Sequence, residues 1–557
     1  MRPSAHFMAF APLDVWWRLL KQSDRINPRY WPRLAACLAT SILGTAITLP
    51  ERLLRHSALR RQYQTQNTAN THATVKHDPG AVFVLGHYRT GTTHLHYLLS
   101  CDDRMYTPRW HQCLAPHGHL LSWTFLRLFL VPFMSEQRPQ DDVSLGPDWP
   151  AEDEFAVNNL ALASALPGRF VIPGAYSHYT RFHDLAGLAD HEYERWRHAQ
   201  WAFLTTLSRR AASRALLLKS PSHTAHVRDI VQLFPPDQPP RFVHIARNAE
   251  DVIHSNFNMA KRLIACYGLQ APPDDSVLLN RVIDEYARSQ RAFARDRDLI
   301  PEGQLACIHF DDLCADALGT LRFVYEQLSL DWSDALEARA QTYLQSVAGY
   351  RPSTRRDRDD DNEPSADKPL LSPEQQTTLR ELSADDAVPV SALLHCVQES
   401  QNGNGTDPGR TSISTPRSTP DTNRDRRVNP WAACSLTALI VAVLWIILAV
   451  LLNNRMDTLI WPAGLLIGWT ALRTSRPRGG SWKLGLWAAA LTLLLLPAIA
   501  HPVTKYTHYR NHPQATTKDI WTTAWHEMSA GATLFWLFMG TATAYRYGSR
   551  SRVPPNL

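Results

Sequence analysis

The chain has 557 residues, which is enough for more than one domain with a sizeable core. Its net charge of +6 is small and diffuse, so the composition does not indicate a nucleic-acid-binding protein. The eight cysteines form no C-x-x-C pair and no metal-ligand spacing, which favours reduced thiols in the cytosol over disulfides or a zinc site. The N-terminus lacks the basic region and apolar core of a signal peptide.

Residues 1–75 are predicted to be an N-terminal helical segment rich in Trp and Arg. The run Leu34–Leu49 is apolar but short for a membrane span, and it contains several Ser and Thr residues. A buried or interfacial helix is therefore favoured there over a membrane span.

The stretch from residue 81 to residue 100 carries the first candidate site. Ala81–Leu85 reads as a short buried strand, and a glycine-punctuated loop then leads into an apolar helix. Free N–H groups at a helix N-terminus, together with the helix dipole, favour anions. The loop supplies one guanidinium and three hydroxyls suited to phosphate or sulfate oxygens: Arg89, Thr90, Thr92 and Thr93.

The loop departs from the Walker A pattern at one decisive position. Gly86 and Gly91 match its two glycines, but Thr92 stands where the lysine belongs. The basic residue lies inside the loop instead, at Arg89. This weakens a kinase or ATPase interpretation, while a strand–turn–helix that binds nothing stays open.

Two further segments follow predicted strands of a parallel α/β sheet. Lys219-Ser-Pro-Ser-His223 ends one strand, where ligands of such sheets bind. Arg247 ends the next strand, and Ser255 lies on the helix after it, so charge and hydroxyl can hold one phosphate. Taken singly, these residues are better explained as a solvated strand-end charge, a helix-capping histidine and an ordinary surface arginine and serine.

Together these segments resemble the PAPS-dependent sulfotransferase family, where PAPS is 3′-phosphoadenosine 5′-phosphosulfate. Residues 86–93, GHYRTGTT, resemble the 5′-phosphosulfate loop of the bacterial type, written G-H-x-R-[ST]-G-T-T. Residues 247–255 resemble the 3′-phosphate motif, residues 219–223 the K-S-P-x-H element, and residues 152–155 the acidic segment. Order and spacing agree over about residues 80–350.

The resemblance implies transfer of a sulfuryl group from PAPS to a hydroxyl or amine, without a metal. It places the donor's 5′ end on the loop residues Gly86, Arg89, Thr90, Gly91, Thr92 and Thr93. It assigns the binding of the 3′-phosphate to Arg247 and Ser255. It also implies that Arg89 and Lys219 stabilise the leaving phosphate.

The acceptor must lose a proton, so a general base is expected. His111 stands where related sequences often place a glutamate after the tryptophan, and His223 is an equal candidate. Glu152 and Glu154 compete with both histidines.

The C-terminal part predicts an all-α transmembrane domain of about four helices. Trp431–Leu452 is an uncharged apolar run long enough to span a bilayer. Three weaker candidates follow, at Thr458–Leu472, Leu484–Ala500 and Met528–Tyr545. Flanking arginines favour a cytoplasmic catalytic domain.

The predicted organisation has four parts: an N-terminal helical segment (1–75), a P-loop-like α/β sulfotransferase domain (76–400), a flexible linker (401–430) and the membrane domain (431–557). The predicted protein is an integral membrane sulfotransferase acting on a small-molecule or lipid acceptor, with no nucleic-acid partner. A non-catalytic nucleotide-binding scaffold and a nucleotide kinase are the alternatives.

Overall fold

A computed structural model describes residues 6–23, 26–67, 72–118, 145–347, 430–452, 460–474 and 483–494, with a few single residues elsewhere. The charge-dense segment 352–367, the predicted linker and nearly all of the fourth predicted span lie outside the described residues. The chain divides into two compact units, Met1–Val388 with Pro554–Leu557, and Pro389–Val553.

The first unit is built on a five-stranded sheet in the order β2-β3-β1-β4-β5. All its strand pairs are parallel. The strands are β1 (Ala81–Leu85), β2 (Met105–Tyr106), β3 (Ala215–Lys219), β4 (Arg241–Ala246) and β5 (Leu305–His309). Every residue of β1 is buried, as expected of the central strand of a sheet covered on both faces. The predicted parallel α/β fold is confirmed.

Helices surround this sheet in chain order. They are α1 (Leu13–Gln22), α2 (Trp31–Gln66), α3 (Thr92–Leu99), α4 (Trp110–Leu114), α5 (Glu154–Ala161), α6 (Tyr176–Tyr179), α7 (Asp190–Ala211), α8 (Val227–Val231), α9 (Ala249–Tyr267), α10 (Asp275–Asp296), α11 (Phe310–Ala315), α12 (Ala317–Gln327) and α13 (Asp334–Val347). Short 3-10 turns lie at Pro28–Tyr30, Pro173–Ala175, Thr180–His183, Pro221–Ala225 and Arg297–Leu299, and a π turn at Pro167–Val171.

Hydrophobic clusters on the two sides of the sheet share its alternating side chains. Phe83 and Leu85 face one cluster, whereas Val82 and Val84 face the other. The period-two alternation of a strand produces this division. Each strand is therefore held from both faces, which fixes where its carboxyl end lies.

The second unit contains the apolar helices α14 (Pro430–Leu452), α15 (Ile460–Thr474) and α16 (Lys483–Leu494). They overlap the first three predicted spans. Within the described residues, one helix, Pro28–Gln66, is long and apolar enough to cross a membrane, although buried helices of soluble proteins can have the same length and composition. Membrane crossing by the C-terminal helices stays a prediction.

Candidate active site

The candidate site lies where the three central strands end. β1 pairs with β3 on one side and β4 on the other, with Val84 opposite Lys219 and Leu85 opposite His244. The loops after these strands carry the three predicted motifs. Because the strands are parallel, all three loops leave the same edge of the sheet.

The loop after β1 needs glycine at two positions. Gly86 has φ +146°, and a Cβ there would lie 2.7 Å from the Thr90 hydroxyl oxygen. Gly91 has φ +95°, and a Cβ there would lie 2.6 Å from a ring carbon of Phe310. The loop thus leaves no room for a side chain at either glycine, and it delivers Thr92 to the first turn of α3.

Hydrogen bonds within the loop and to its neighbours hold this shape. The Gly86 N–H donates to the Thr224 hydroxyl at 2.8 Å, and the Thr90 hydroxyl donates to the His87 carbonyl at 2.8 Å. Thr224 belongs to the 3-10 turn after β3. The loop after β1 is therefore tied directly to the loop after β3.

Arg89 joins the loop to the third motif. It adopts φ +74°, an uncommon conformation for a residue with a side chain. Its Nε donates to the Ser255 hydroxyl at 2.9 Å, and its carbonyl accepts from Arg247 Nη1 at 2.8 Å. The Arg247 guanidinium also stacks over the Phe310 ring at 4.2 Å. The residues predicted for the two ends of the donor thus meet in one network.

Lys219 is buried at the end of β3. Its Nζ forms an ion pair with Glu152 and donates to the Thr93 hydroxyl at 3.2 Å. Burial lowers the pKa of Lys219, and the Glu152 carboxylate opposes that effect. A buried lysine whose charge is balanced by the Glu152 carboxylate therefore lies beside the helix that follows the loop.

The acidic segment 152–154 is docked on residues 219–223. Asp153 Oδ2 lies 3.0 Å from His223 Nε2, and its other oxygen accepts from the Ser220 hydroxyl at 2.8 Å. Glu154 accepts from the Ser222 hydroxyl at 3.0 Å. The two segments pair almost residue for residue.

The neighbouring carboxyls have opposite pKa shifts. Burial pushes the pKa of Asp153 up, but the facing His223 and hydrogen bonds from Gln200 and Ser220 outweigh it and hold the value at about 2. Burial raises the pKa of Glu154, only partly offset by its bond from Ser164. Asp153 is therefore an anion at neutral pH, whereas Glu154 resists ionisation.

His111 lies in the first turn of α4. Its Nδ1 is 2.8 Å from the Pro147 carbonyl and 3.7 Å from Asp148 Oδ1. A carbonyl can only accept, so Nδ1 carries the proton in that bond. These contacts join His111 to the chain that leads into the acidic segment.

Sequence reasoning named most of these residues but missed Thr224 and the role of Asp153. The acidic composition of residues 152–154 indicates that Asp153 belongs to the site, whereas no feature of the sequence indicates its pairing with His223. Among the described residues, no group of three His, Cys, Asp or Glu side chains could hold a metal ion.

The fold is a parallel α/β sheet with three cations at the carboxyl ends of its central strands, the edge at which proteins of this class bind ligands. The sulfotransferase family pattern matches residues 79–334. Omega-hydroxy-beta-dihydromenaquinone-9 sulfotransferase Stf3 from Mycobacterium bovis is 31% identical over 284 residues, covering 50% of this chain and 70% of that protein. Stf3 from Mycobacterium tuberculosis gives the same values. The chain belongs to the sulfotransferase family.

Solved structures of mycobacterial sulfotransferases are also similar. STF1 from Mycobacterium tuberculosis H37Rv is 18% identical with a TM-score of 0.42, over 62% of this chain and 97% of that one. STF9 from Mycobacterium avium is 18% identical with a TM-score of 0.40, over 61% and 89% respectively.

Proposed function

We propose that this protein transfers a sulfuryl group from PAPS to a hydroxyl, or an amine, of an amphiphilic acceptor. The observation that carries the proposal is that Arg89, Lys219 and Arg247 lie at or just after the carboxyl ends of three adjacent parallel strands. A donor with phosphate at both ends requires several cations within one site, and a tight loop at a helix N-terminus suits one of its phosphates.

The loop residues Gly86, Arg89, Thr90, Gly91, Thr92 and Thr93 would hold the 5′ end of the donor. Arg247 and Ser255 would hold its 3′-phosphate. Support comes from the bonds of Arg89 to Ser255 and of Arg247 to the Arg89 carbonyl, which keep both groups beside the loop. Ser255 would then share its hydroxyl between Arg89 and the phosphate.

The reaction forms a bond between sulfur and the acceptor oxygen, breaks the bond between sulfur and the 5′-phosphate oxygen, and releases the acceptor proton. Lys219 and Arg89 would stabilise the charge that grows on the leaving oxygen. Glu152 keeps Lys219 charged and in place despite its burial. No metal is assigned a role.

The acceptor proton would go to His111 or His223. Asp153 lies against Nε2 of His223, and Nδ1 of His111 donates to the Pro147 carbonyl, so one contact fixes the orientation of each ring. Glu152 is already paired with Lys219, which makes it the weaker candidate. Replacing each histidine by Gln and recording the pH dependence of kcat distinguishes them, because only the base variant loses the rate and the pH-dependent limb together.

The acceptor is proposed to be lipid-like. Stf3 is named for a menaquinone derivative carrying a terminal hydroxyl, which is an amphiphile. Helix α14 has 23 residues and no charged side chain, a length of about 34 Å that suits a bilayer. The C-terminal helices would anchor a cytoplasmic catalytic domain next to such a substrate.

Calorimetric titration of the full chain in detergent with 3′-phosphoadenosine 5′-phosphate (PAP), without Mg²⁺, tests the donor site. We expect binding that Arg247→Ala weakens strongly, while Arg291→Ala, an exposed arginine on α10, leaves it unchanged. Folded wild-type protein that does not bind PAP would overturn the proposal. PAP binding without sulfuryl transfer to any lipid hydroxyl would favour the scaffold alternative.

A further inference from the structure

Helix α2 buries a run of small and polar residues while it leaves a run of apolar residues exposed. Leu34, Leu38 and Ile47 pack against the hydrophobic core, and Leu59 and Tyr63 are buried. The other residues of the side that packs on the first unit are small or polar. These are Cys37, Ser41, Gly44, Thr48, Glu51 and Arg55. Their spacing of three or four positions places them on one side of the helix.

The opposite side is apolar and open. Ile42, Leu49 and Leu53 are 56%, 45% and 66% exposed, and Trp31 begins the same stripe. Ala35, Ala39 and Ala46 fill the positions between them and are accessible as well. A continuous exposed apolar stripe of this length marks a surface that contacts another apolar phase.

Contacts along the buried side determine how α2 can meet a membrane. Arg33 Nη2 donates to the Ala265 carbonyl at 3.0 Å near one end of the helix. Tyr63 donates to Glu194 at 2.9 Å near the other end. These two anchor points are 30 residues apart, roughly 45 Å along a helix, which exceeds the apolar thickness of a bilayer. A helix bound to a folded domain over this length cannot cross a membrane and must lie parallel to its surface.

Charge identifies the kind of membrane. Residues 13–66 contain nine Lys and Arg against three Asp and Glu. Of the acidic residues, Asp14 pairs with Arg52 at 2.7 Å and Glu51 with Arg55 at 3.0 Å. Arg60 continues the exposed apolar stripe at its C-terminal end. Arg29 and Arg61 are exposed as well, so basic residues lie at both ends of the stripe, where they are complementary to anionic headgroups above acyl chains.

Helix α1 adds aromatic and apolar groups beside this stripe. The Leu13 N–H donates to the Thr45 hydroxyl at 3.2 Å, so the start of α1 adjoins the middle of α2. Trp17 is 62% exposed, and the Lys21 ammonium lies 5.2 Å from its ring centre. Trp beside Lys is suited to the boundary between headgroups and acyl chains.

We infer that the exposed stripe of α2, with Trp17 of α1, is a docking surface for an anionic lipid bilayer. The docked helix α2 lies parallel to the membrane surface. This docking surface is independent of the C-terminal helices and goes beyond the proposed function. It would hold the catalytic domain against the bilayer in a defined orientation, rather than only near it.

The test uses the full chain reconstituted in phosphatidylcholine vesicles containing phosphatidylglycerol. An environment-sensitive fluorophore is attached through a non-natural amino acid at position 53, or at the exposed control position 302. Both positions belong to the same anchored chain, so a difference between them reports on α2 and not on the C-terminal helices. The measurement compares quenching by nitroxide-labelled lipid with quenching by iodide in water.

We expect the label in place of Leu53 to lose most of its emission to lipid nitroxide and little to iodide, and the label in place of Glu302 to do the reverse. Iodide quenching at both positions would overturn the inference. Shielding of position 53 from both quenchers would also overturn it, because protein would then cover the stripe. The same label at Ile42 repeats the measurement should the first variant not fold, and retained PAP binding shows folding independently of docking.

The role of charge is tested by omitting phosphatidylglycerol. We expect lipid quenching at position 53 to fall in vesicles of phosphatidylcholine alone and at high salt. Equal quenching in both lipids would overturn the assignment to anionic membranes.

Discussion

Asp153 is fully buried, yet its carboxylate is held in the charged form by His223, Gln200 and Ser220. Its pKa is about 2, below the usual 3.8. A depressed carboxyl pKa contributes stability that is present above the ordinary value and is lost as the pH falls towards the folded value. The relevant window therefore lies between about pH 4 and pH 2.

We predict that Asp153→Asn lowers the free energy of unfolding by about 2 kcal/mol at neutral pH. Its stability should also depend less on pH in the acid range than that of the wild type. Urea unfolding between pH 3 and pH 7 measures both effects. Asp298→Asn, at an exposed position, serves as the control and should follow the wild type. Identical acid profiles for wild type and Asp153→Asn would contradict this assignment.

Lys219 and Glu152 form a buried pair in which each charge depends on the other. We predict that Lys219→Met destabilises the protein by about 3–5 kcal/mol, because Glu152 would be left without its partner. The double variant Lys219→Met, Glu152→Gln should regain most of the lost stability, but it should not catalyse sulfuryl transfer. Thermal unfolding and activity, measured in parallel, separate the two roles of Lys219. Recovery of activity in the double variant would exclude Lys219 from catalysis.

The loop after β1 is the element on which donor binding is proposed to depend, and its shape relies on Gly91. Gly303 offers a matched control, since it also has positive φ but has open space where a Cβ would lie. An alanine at either position carries the strain of a left-handed conformation, about 1–2 kcal/mol. Only at Gly91 does the added methyl group also collide with Phe310.

We predict that Gly91→Ala reduces PAP affinity at least tenfold and lowers the melting temperature more than Gly303→Ala does. A tenfold loss of affinity corresponds to about 1.4 kcal/mol of binding free energy, which displacement of the loop backbone is sufficient to remove. Gly303→Ala should bind PAP as the wild type does. Equal affinities for the two variants would show that the loop tolerates a side chain and does not shape the site.

At the scale of the whole molecule, α14 is proposed to anchor the protein in a bilayer. Two arginines at its middle, Leu439→Arg with Ile440→Arg, would each cost about 2.5–3.5 kcal/mol on insertion. We predict that this variant lowers the share of the protein in the carbonate-resistant membrane fraction, because α14 is the strongest of the predicted spans. Ala433→Arg near the helix end should not lower it, because that side chain reaches the interface. Retention of the double variant would mean that other segments anchor the chain.

The local sequence determined the three motif loops and the strands before them. β1 is Ala81–Leu85 as predicted, because a short apolar run that ends at a glycine is typical of a buried strand. The parallel sheet followed from alternating strands and helices, and it brought the loops after β1, β3 and β4 to one edge. The positions of Arg89, Lys219 and Arg247 were thus predictable in outline.

Tertiary structure alone decided the contacts that join distant segments. Ser222 and Glu154 are 68 positions apart, and the docking of residues 152–154 on residues 219–223 leaves no periodic signal in the chain. The same is true of α2, whose apolar and polar residues predicted a buried or interfacial helix without showing which side faces the domain. Periodicity records that two sides of a helix differ, but only packing against the rest of the fold determines which of them is buried.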